Sequence, residues 1–311
     1  MSAPIFNRIA LIGLGLIGSS IARGVRACGA ATEIVGTARS TATRGRVVEL
    51  GILDQVFDTP GEAVKGADLV VICVPVRTTS AIAEAIASDL APGAIVTDVG
   101  SVKQSVIRDV EPHIPDGCVF VGGHPVAGTE FSGPDAGFAE LFYDRWCILT
   151  PSEKSTPDAV KKLSAFWQAL GSNVETMAPD HHDLVLAITS HIPHLIAYNI
   201  VGTVADLETD TRSEVIQYSA SGFRDFTRIA ASDPTMWRDI FLANRDAVLE
   251  MLGRFSEDLS TLQRAIRRGE GEKLFELFDR TRNIRRNIIE AGQETAEADF
   301  GRGHTISSGE D

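Results

Sequence analysis

One histidine stands in the stretch Gly122-Gly123-His124-Pro125-Val126-Ala127-Gly128-Thr129-Glu130, just after the apolar run 119–121. Glycines before it and a proline after it predict a stiff turn that presents the ring rather than packs it away. An imidazole ordinarily titrates near pH 6.5, so His124 can take up a proton near neutrality. Ser101 follows another apolar run, 95–99. It can face the same ligand or cap the helix that begins near 103–104, and it can do both. Further along, Ser190-His191-Ile192-Pro193-His194 puts two histidines three residues apart, on one helix face. Pro193 removes one helical N–H and frees the carbonyl of Thr189, which predicts a kink. A metal pair is the competing use. His181, His182 and Asp183 lie upstream but supply no obvious third ligand, so substrate contact is preferred and no metal site is expected. Arg224 and Arg228 are four apart and share a face if their segment is helical. Beside Phe223 and Phe226, in a chain of formal net charge -13, they suit a carboxylate-bearing ligand. Ion pairing with Asp225 or Asp239 is the competing use for one of them.

Such groups need a scaffold that brings them to one rim. Apolar runs at 8–12, 33–36, 69–74, 95–99, 118–121 and 147–150 read as strands. Helical patterns at 16–27, 79–90, 104–110 and 156–170 alternate with them. This alternation predicts a doubly wound, mostly parallel sheet with helices on both faces. The first strand runs into Gly13-Leu14-Gly15-Leu16-Ile17-Gly18, which opens a helix that Gly29 can stop. A glycine fingerprint in that context places backbone N–H groups and a helix N-terminus beside a pyrophosphate. In such sheets ligands sit beyond the carboxyl ends of the strands, where Ser101 and His124 also fall. Twenty residues past Gly18 stands Ala38 rather than an acid, followed by Arg39, Ser40 and Thr41. No carboxylate is there to repel a 2′-phosphate and Arg39 can pair with one, so NADP is favoured over NAD.

After about residue 180 the pattern turns helical, at 183–207, 233–243, 245–266 and, more weakly, 270–291. Asp233-Pro234 reads as a helix start, with Asp as the cap and Pro in the first turn. The expected domains are therefore 1–179, a Rossmann-type dinucleotide-binding domain, and 180–298, an all-helical domain for substrate and dimerisation. A polar, glycine-rich tail at 299–311 is expected to be disordered.

The acidic charge makes nucleic acid and anionic membrane surfaces poor partners. Four cysteines, Cys28, Cys73, Cys118 and Cys147, form no CxxC pair, which excludes a thiolate zinc site of that spacing and fits a reducing cytoplasm. The N-terminus lacks a signal-peptide pattern. No run approaches the ~20 apolar residues that cross a bilayer.

Together the motifs resemble the prephenate/arogenate (cyclohexadienyl) dehydrogenase family of tyrosine biosynthesis. The resemblance rests on Gly13–Gly18, Asp98-Val99-Gly100-Ser101-Val102-Lys103, Gly123–Glu130, Ser190–His194, and Gly222–Ala230 with Asp233–Asp239. It implies oxidative decarboxylation of prephenate to 4-hydroxyphenylpyruvate, or of arogenate to tyrosine, with NAD or NADP reduced. It makes His124 the catalytic histidine at the ring hydroxyl, Ser101 the serine that orients both, and Arg228 the holder of a substrate carboxylate. His194 and Trp237 become pocket residues, with His191 and Thr129 as further substrate contacts. Gly13, Leu14, Gly15, Leu16, Ile17, Gly18, Arg39, Ser40, Val74 and Ser101 are the expected cofactor contacts. Family members dimerise through the helical domain, and a cytoplasmic homodimer is expected. Some family members add an ACT or chorismate mutase domain, and feedback by tyrosine through such an added domain is not expected here. A β-hydroxyacid dehydrogenase of the same plan would need a helical-domain lysine in a suitable motif, and Lys273 is the lone lysine after 180. A nucleotide-sensing protein without turnover would need only the fingerprint.

Overall fold

The computed structural model describes residues 3–129, 131–206 and 221–288. The chain divides after Met251 into two compact units. In the first, strands β1 (Phe6–Ile12), β2 (Ala31–Thr37), β3 (Gln55–Phe57), β4 (Leu69–Ile72), β5 (Ile95–Asp98), β6 (Val119–Pro125), β7 (Trp146–Thr150) and β8 (Asn173–Thr176) form one sheet. Its order is β3-β2-β1-β4-β5-β6-β7-β8. β1 to β6 run parallel, as the alternation predicts. β7 pairs antiparallel with β6 and carries β8 parallel to itself.

The continuous apolar strands are explained by burial on both faces. Ile9 and Leu11 of β1 and Leu69 and Val71 of β4 enter one core with Phe142, Phe166 and Trp167. The alternate residues Ala10, Ile12, Val70 and Ile72 enter a second core with Val96, Val106 and Phe120. The flanking helices are α1 (Leu16–Cys28), α2 (Thr41–Leu50), α3 (Pro60–Val64), α4 (Thr79–Ile86), α5 (Gln104–Val110) and α6 (Pro157–Ala169). Gly29 ends α1 in the left-handed conformation, φ 71°, which a side chain would resist.

Past β8 come α7 (Pro179–Leu186), a π turn (Ala187–His191), α8 (Ile192–Ala205), α9 (Ser221–Thr227) and α10 (Pro234–Ala243). The expected kink at Pro193 takes the form of that π turn, just before the proline. Asp233 caps α10 by accepting the Met236 N–H. Val102, Trp237 and Ile240 form a small core with Val76 and Tyr198 that fastens these helices to the strand ends. α11 (Arg245–Arg268) begins in this unit. The second unit holds the remainder of α11 and α12 (Gly271–Ile288) among its described residues.

Three expectations are corrected. His124 lies in β6, paired with Ile148 of β7, and not in a turn. Ser101 does not cap α5. That helix has no cap from its own segment, because Asp183 accepts the N–H groups of Lys103 and Gln104. The helical run Pro179–Ala205, 27 residues, is long and apolar enough to cross a membrane. It packs Leu186, Ala187, Ile192 and Ala197 into the protein and leaves Ile188, Ile200 and Val201 exposed. Glu130 and the tail at 299–311 lie outside the described residues.

Candidate active site

The fingerprint fits a dinucleotide. Gly13 is at φ 103°, and a Cβ there would stand 2.4 Å from the Cys73 carbonyl oxygen; one on Gly18 would meet the Gly13 oxygen at 2.1 Å. Those two glycines let strand, turn and helix close on one another. Gly15 faces open space, and it begins α1 with neither a side-chain cap nor an acid in the first turn. Free N–H groups at the positive end of a 13-residue helix are suited to a pyrophosphate. Val74 flanks Gly13. The Leu14 side chain is buried within the core. At the end of β2, Arg39 is exposed. The Ser40 hydroxyl caps α2, accepting from Thr43 N. Arg44 is committed to the carbonyls of Ala38 and Arg39, at 2.7 and 3.2 Å, and to Asp58.

Across the switch point of the sheet, three side chains form a line. His182 Nδ1 lies 2.8 Å from Asp183 Oδ1, and His182 Nε2 lies 2.8 Å from His124 Nδ1. Asp183 is pinned from behind by Lys103 N at 2.7 Å and Gln104 N at 3.0 Å. The proton positions follow. A carboxylate only accepts, so His182 carries its proton on Nδ1 and presents a lone pair on Nε2. His124 must then donate from Nδ1, which leaves its own Nε2 unprotonated. His182 is wholly buried, while His124 keeps 7% exposure. Ligands therefore reach the line only at His124.

Burial lowers the proton affinity of His124 well below the ordinary value, and the neighbouring His182, Lys103 and His191 lower it further. Burial likewise lowers His182, against its hydrogen bond to Asp183. His191 is lowered to about 4, chiefly by burial. All three rings are neutral at working pH. The ordinary titration near 6.5 anticipated for His124 is corrected accordingly.

The second wall comes from the π turn, α8 and α10. Asn244 Nδ2 donates to the Asp183 carbonyl at 2.8 Å and to His191 Nδ1 at 3.0 Å. His191 is thereby the Nε2–H tautomer. The Ser101 backbone stands beside that ring. His194 stacks on Trp237 with centroids 3.6 Å apart, and its Nδ1 donates to the Ser190 carbonyl at 2.8 Å. Arg228, at the start of a 3-10 turn after α9, is close enough for its charge to act on His194. The Ser101 backbone is within hydrogen-bonding reach of His191, whereas Trp237 Nε1 is buried without a hydrogen-bond partner among the described residues. An unmet buried donor costs about 1–3 kcal/mol, so Trp237 Nε1 is the donor of this wall that still lacks an acceptor.

Ser101, His124, His191, His194, Trp237 and Arg228 are thus gathered on one side of the protein. Thr129 is exposed and accepts the Phe131 N–H at 3.2 Å. Arg224 is exposed on α9. Asp239 pairs with Arg238 at 2.8 Å. His182, Asp183 and Asn244 complete this arrangement and are not among the site residues expected from sequence. The local signal is Asp180-His181-His182-Asp183 just inside a proline-started helix, and only the fold brings it to His124.

Known proteins match this chain over most of its length. The family model for the prephenate dehydrogenase nucleotide-binding domain covers residues 21–176, and that for the prephenate dehydrogenase dimerization domain covers 178–280. A cyclohexadienyl dehydrogenase of Zymomonas mobilis is 43% identical over 281 residues, 90% of this chain and 96% of that protein. A prephenate dehydrogenase of Bacillus subtilis is 35% identical over 90% of this chain and 75% of its own length. Among solved structures, prephenate dehydrogenase from A. aeolicus in complex with hydroxyphenyl propionate and NAD+ superimposes with a TM-score of 0.84 at 35% identity. That match covers 91% of this chain and 98% of the other. Synechocystis arogenate dehydrogenase gives 0.77 at 28% identity, covering 90% and 99%.

Proposed function

Because this chain belongs to the prephenate dehydrogenase family, we propose that it oxidatively decarboxylates prephenate, arogenate or both, with a nicotinamide dinucleotide, in tyrosine biosynthesis. The observation that carries the reading is the Asp183–His182–His124 line, which leaves an unprotonated His124 Nε2 at the ligand side.

In the reaction the ring carbinol carbon loses its hydrogen as hydride, and its hydroxyl loses a proton. When bound, the oxidised nicotinamide accepts the hydride. The hydroxyl proton passes to His124 Nε2. The bond from the ring to its carboxylate breaks, its electron pair passes through the ring to the former hydroxyl oxygen, that oxygen takes back the proton held on His124, and carbon dioxide departs as the ring becomes aromatic. Aromatisation supplies the driving force, so the protein's main task is position. Ser101, in the loop after β5, orients the hydroxyl and His124. Asp183, acting through His182, offsets the positive charge that arrives on the line. Arg228 holds a substrate carboxylate, and His194 with Trp237 forms the wall beside it. His191 lines the same wall beside Ser101, and Trp237 Nε1–H donates to a substrate acceptor.

Gly13, Gly15 and Gly18 with the first turn of α1 would hold the pyrophosphate, and Val74 would flank the nicotinamide half. Ala38 with the exposed Arg39 favours NADP. Exposed Ile188, Ile200 and Val201 suit a homodimer interface of a cytoplasmic enzyme. The test mixes purified protein with prephenate or arogenate and NAD+ or NADP+, and follows the reduced nicotinamide band. Turnover of at least one pair is expected. His124→Asn should lower kcat by roughly 10²–10⁴-fold with substrate affinity nearly intact. Turnover of neither substrate, or a fully active His124→Asn, would overturn the reading.

A further inference from the structure

The geometry points to the buried Asp98–Lys103 pair as the positioning device of this site: it substitutes for a missing strand and fixes Ser101 and His124 relative to each other. The inference rests on the catalytic reading of His124 above. Parallel pairing between β5 and β6 runs to Thr97 opposite Val121. Beyond that point β6 continues through Gly122, Gly123, His124 and Pro125, paired only with β7 on its other side. A strand past the end of its neighbour exposes backbone groups that must find other partners. Gly123 finds both in this pair. Asp98 Oδ1 accepts its N–H at 3.1 Å, and Lys103 Nζ donates to its carbonyl at 2.7 Å. Asp98 Oδ2 accepts Lys103 Nζ at 2.5 Å and Gly100 N at 2.8 Å. Both side chains are wholly buried.

One ion pair thereby grips the residue before His124 and the residue before Ser101. It also accounts for Gly100, while the neighbouring strands account for Gly122 and Gly123. A Cβ on Gly100 would lie 2.9 Å from Asp98 Oδ2, one on Gly122 2.5 Å from Thr150 Oγ1, and one on Gly123 2.8 Å from the Asp98 carbonyl oxygen. The glycines beside His124 admit the neighbouring strands β5 and β7, and do not form a turn. The ammonium has a second effect. His124 is faced by His182 of α7, Lys103 of the β5–α5 loop and His191 of the π turn, all of which disfavour its protonation. Cys147 of β7 lies on the opposite strand, and Asp98 and Asp183 stand behind Lys103.

The test is Lys103→Met, with Asp98→Asn/Lys103→Met as the form that leaves no unpaired buried charge. In each folded variant kcat should fall roughly 10²-fold, since small misplacements of reacting groups cost that much. NAD+ affinity, followed by fluorescence titration, should stay within about 3-fold because the fingerprint is untouched. In Lys103→Met the acid limb of kcat/KM should also move to higher pH, because a positive charge near His124 is gone. A merely structural role would not move that limb. Wild-type kcat in the double variant, or an unmoved limb in Lys103→Met, would overturn the inference. Failure of both variants to fold would overturn it too, by making the pair a folding element. If His124→Asn is itself fully active, the catalytic reading fails first. If His124→Asn is inactive and these variants are not, this inference alone fails.

Discussion

His182→Leu separates the buried line from the ligand-facing histidine. Leucine fills the volume of the ring without its nitrogens. Asp183 keeps Lys103 N and Gln104 N as partners, so the start of α5 remains capped. His124 Nδ1 loses the acceptor 2.8 Å away that holds its proton there. A buried, unmet N–H costs about 1–3 kcal/mol, and the ring escapes that cost by carrying its proton on Nε2 instead. The reactive tautomer therefore falls in population by roughly 5- to 150-fold, at 1.4 kcal/mol for each factor of ten. The expected result is a kcat lowered by that factor with substrate and cofactor dissociation constants nearly unchanged. His182→Gln, whose amide oxygen can accept from Nδ1, should recover part of the loss. Stopped-flow and steady-state assays give kcat, and thermal melts confirm folding. A folded His182→Leu with kcat within about 2-fold of wild type would refute the tautomer argument, as would a His182→Gln no better than the leucine variant.

The depressed proton affinity of His124 places the acid limb of kcat/KM below pH 6.5, and a limb at or above 6.5 would contradict it. Arg228→Ala should weaken substrate binding by about 2–5 kcal/mol in equilibrium titrations and leave cofactor binding alone. Arg39→Ala should lower kcat/KM for NADP+ more than for NAD+, and a wild-type enzyme that strongly prefers NAD+ would remove the premise. Stability should fall in acid. His191 takes a proton near 6.5 when unfolded but only at about 4 when folded. Its contribution is therefore complete above 6.5 and is lost as pH falls towards 4, about 3 kcal/mol in all. Urea titrations at pH 7 and pH 4.5 should show the loss, and His191→Gln should flatten it.

The glycine fingerprint was readable because its spacing encodes its geometry: Gly13 needs a positive φ and Gly18 a close approach to Gly13. The strands β1 and β4 were readable because they are apolar on both faces. β8 was not, since Asn173–Thr176 is a polar edge strand with only Val174 turned towards the core. β3 has only three residues. His124 was legible as a chemical group but misread in its setting. Glycines next to a histidine suggest a turn, whereas Gly122 and Gly123 are small because Thr150 and Asp98 pack against them. The contact of His182 with His124 spans 58 residues and has no local signature. Asn244 is as remote from His191, and its role depends on the Asp183 carbonyl that orients its amide.

The place of His124 inside β6, with β7 on one flank, has a consequence for how the protein fails. A base carried on a surface loop can be lost while the rest of the molecule stays native. Here the imidazole belongs to the sheet interior, the part of a protein that opens last. Heat inactivation and loss of tertiary structure should then trace a single curve. A regulator that acts by loosening local segments would have to work on the helical wall around Trp237, because the sheet offers it nothing to loosen.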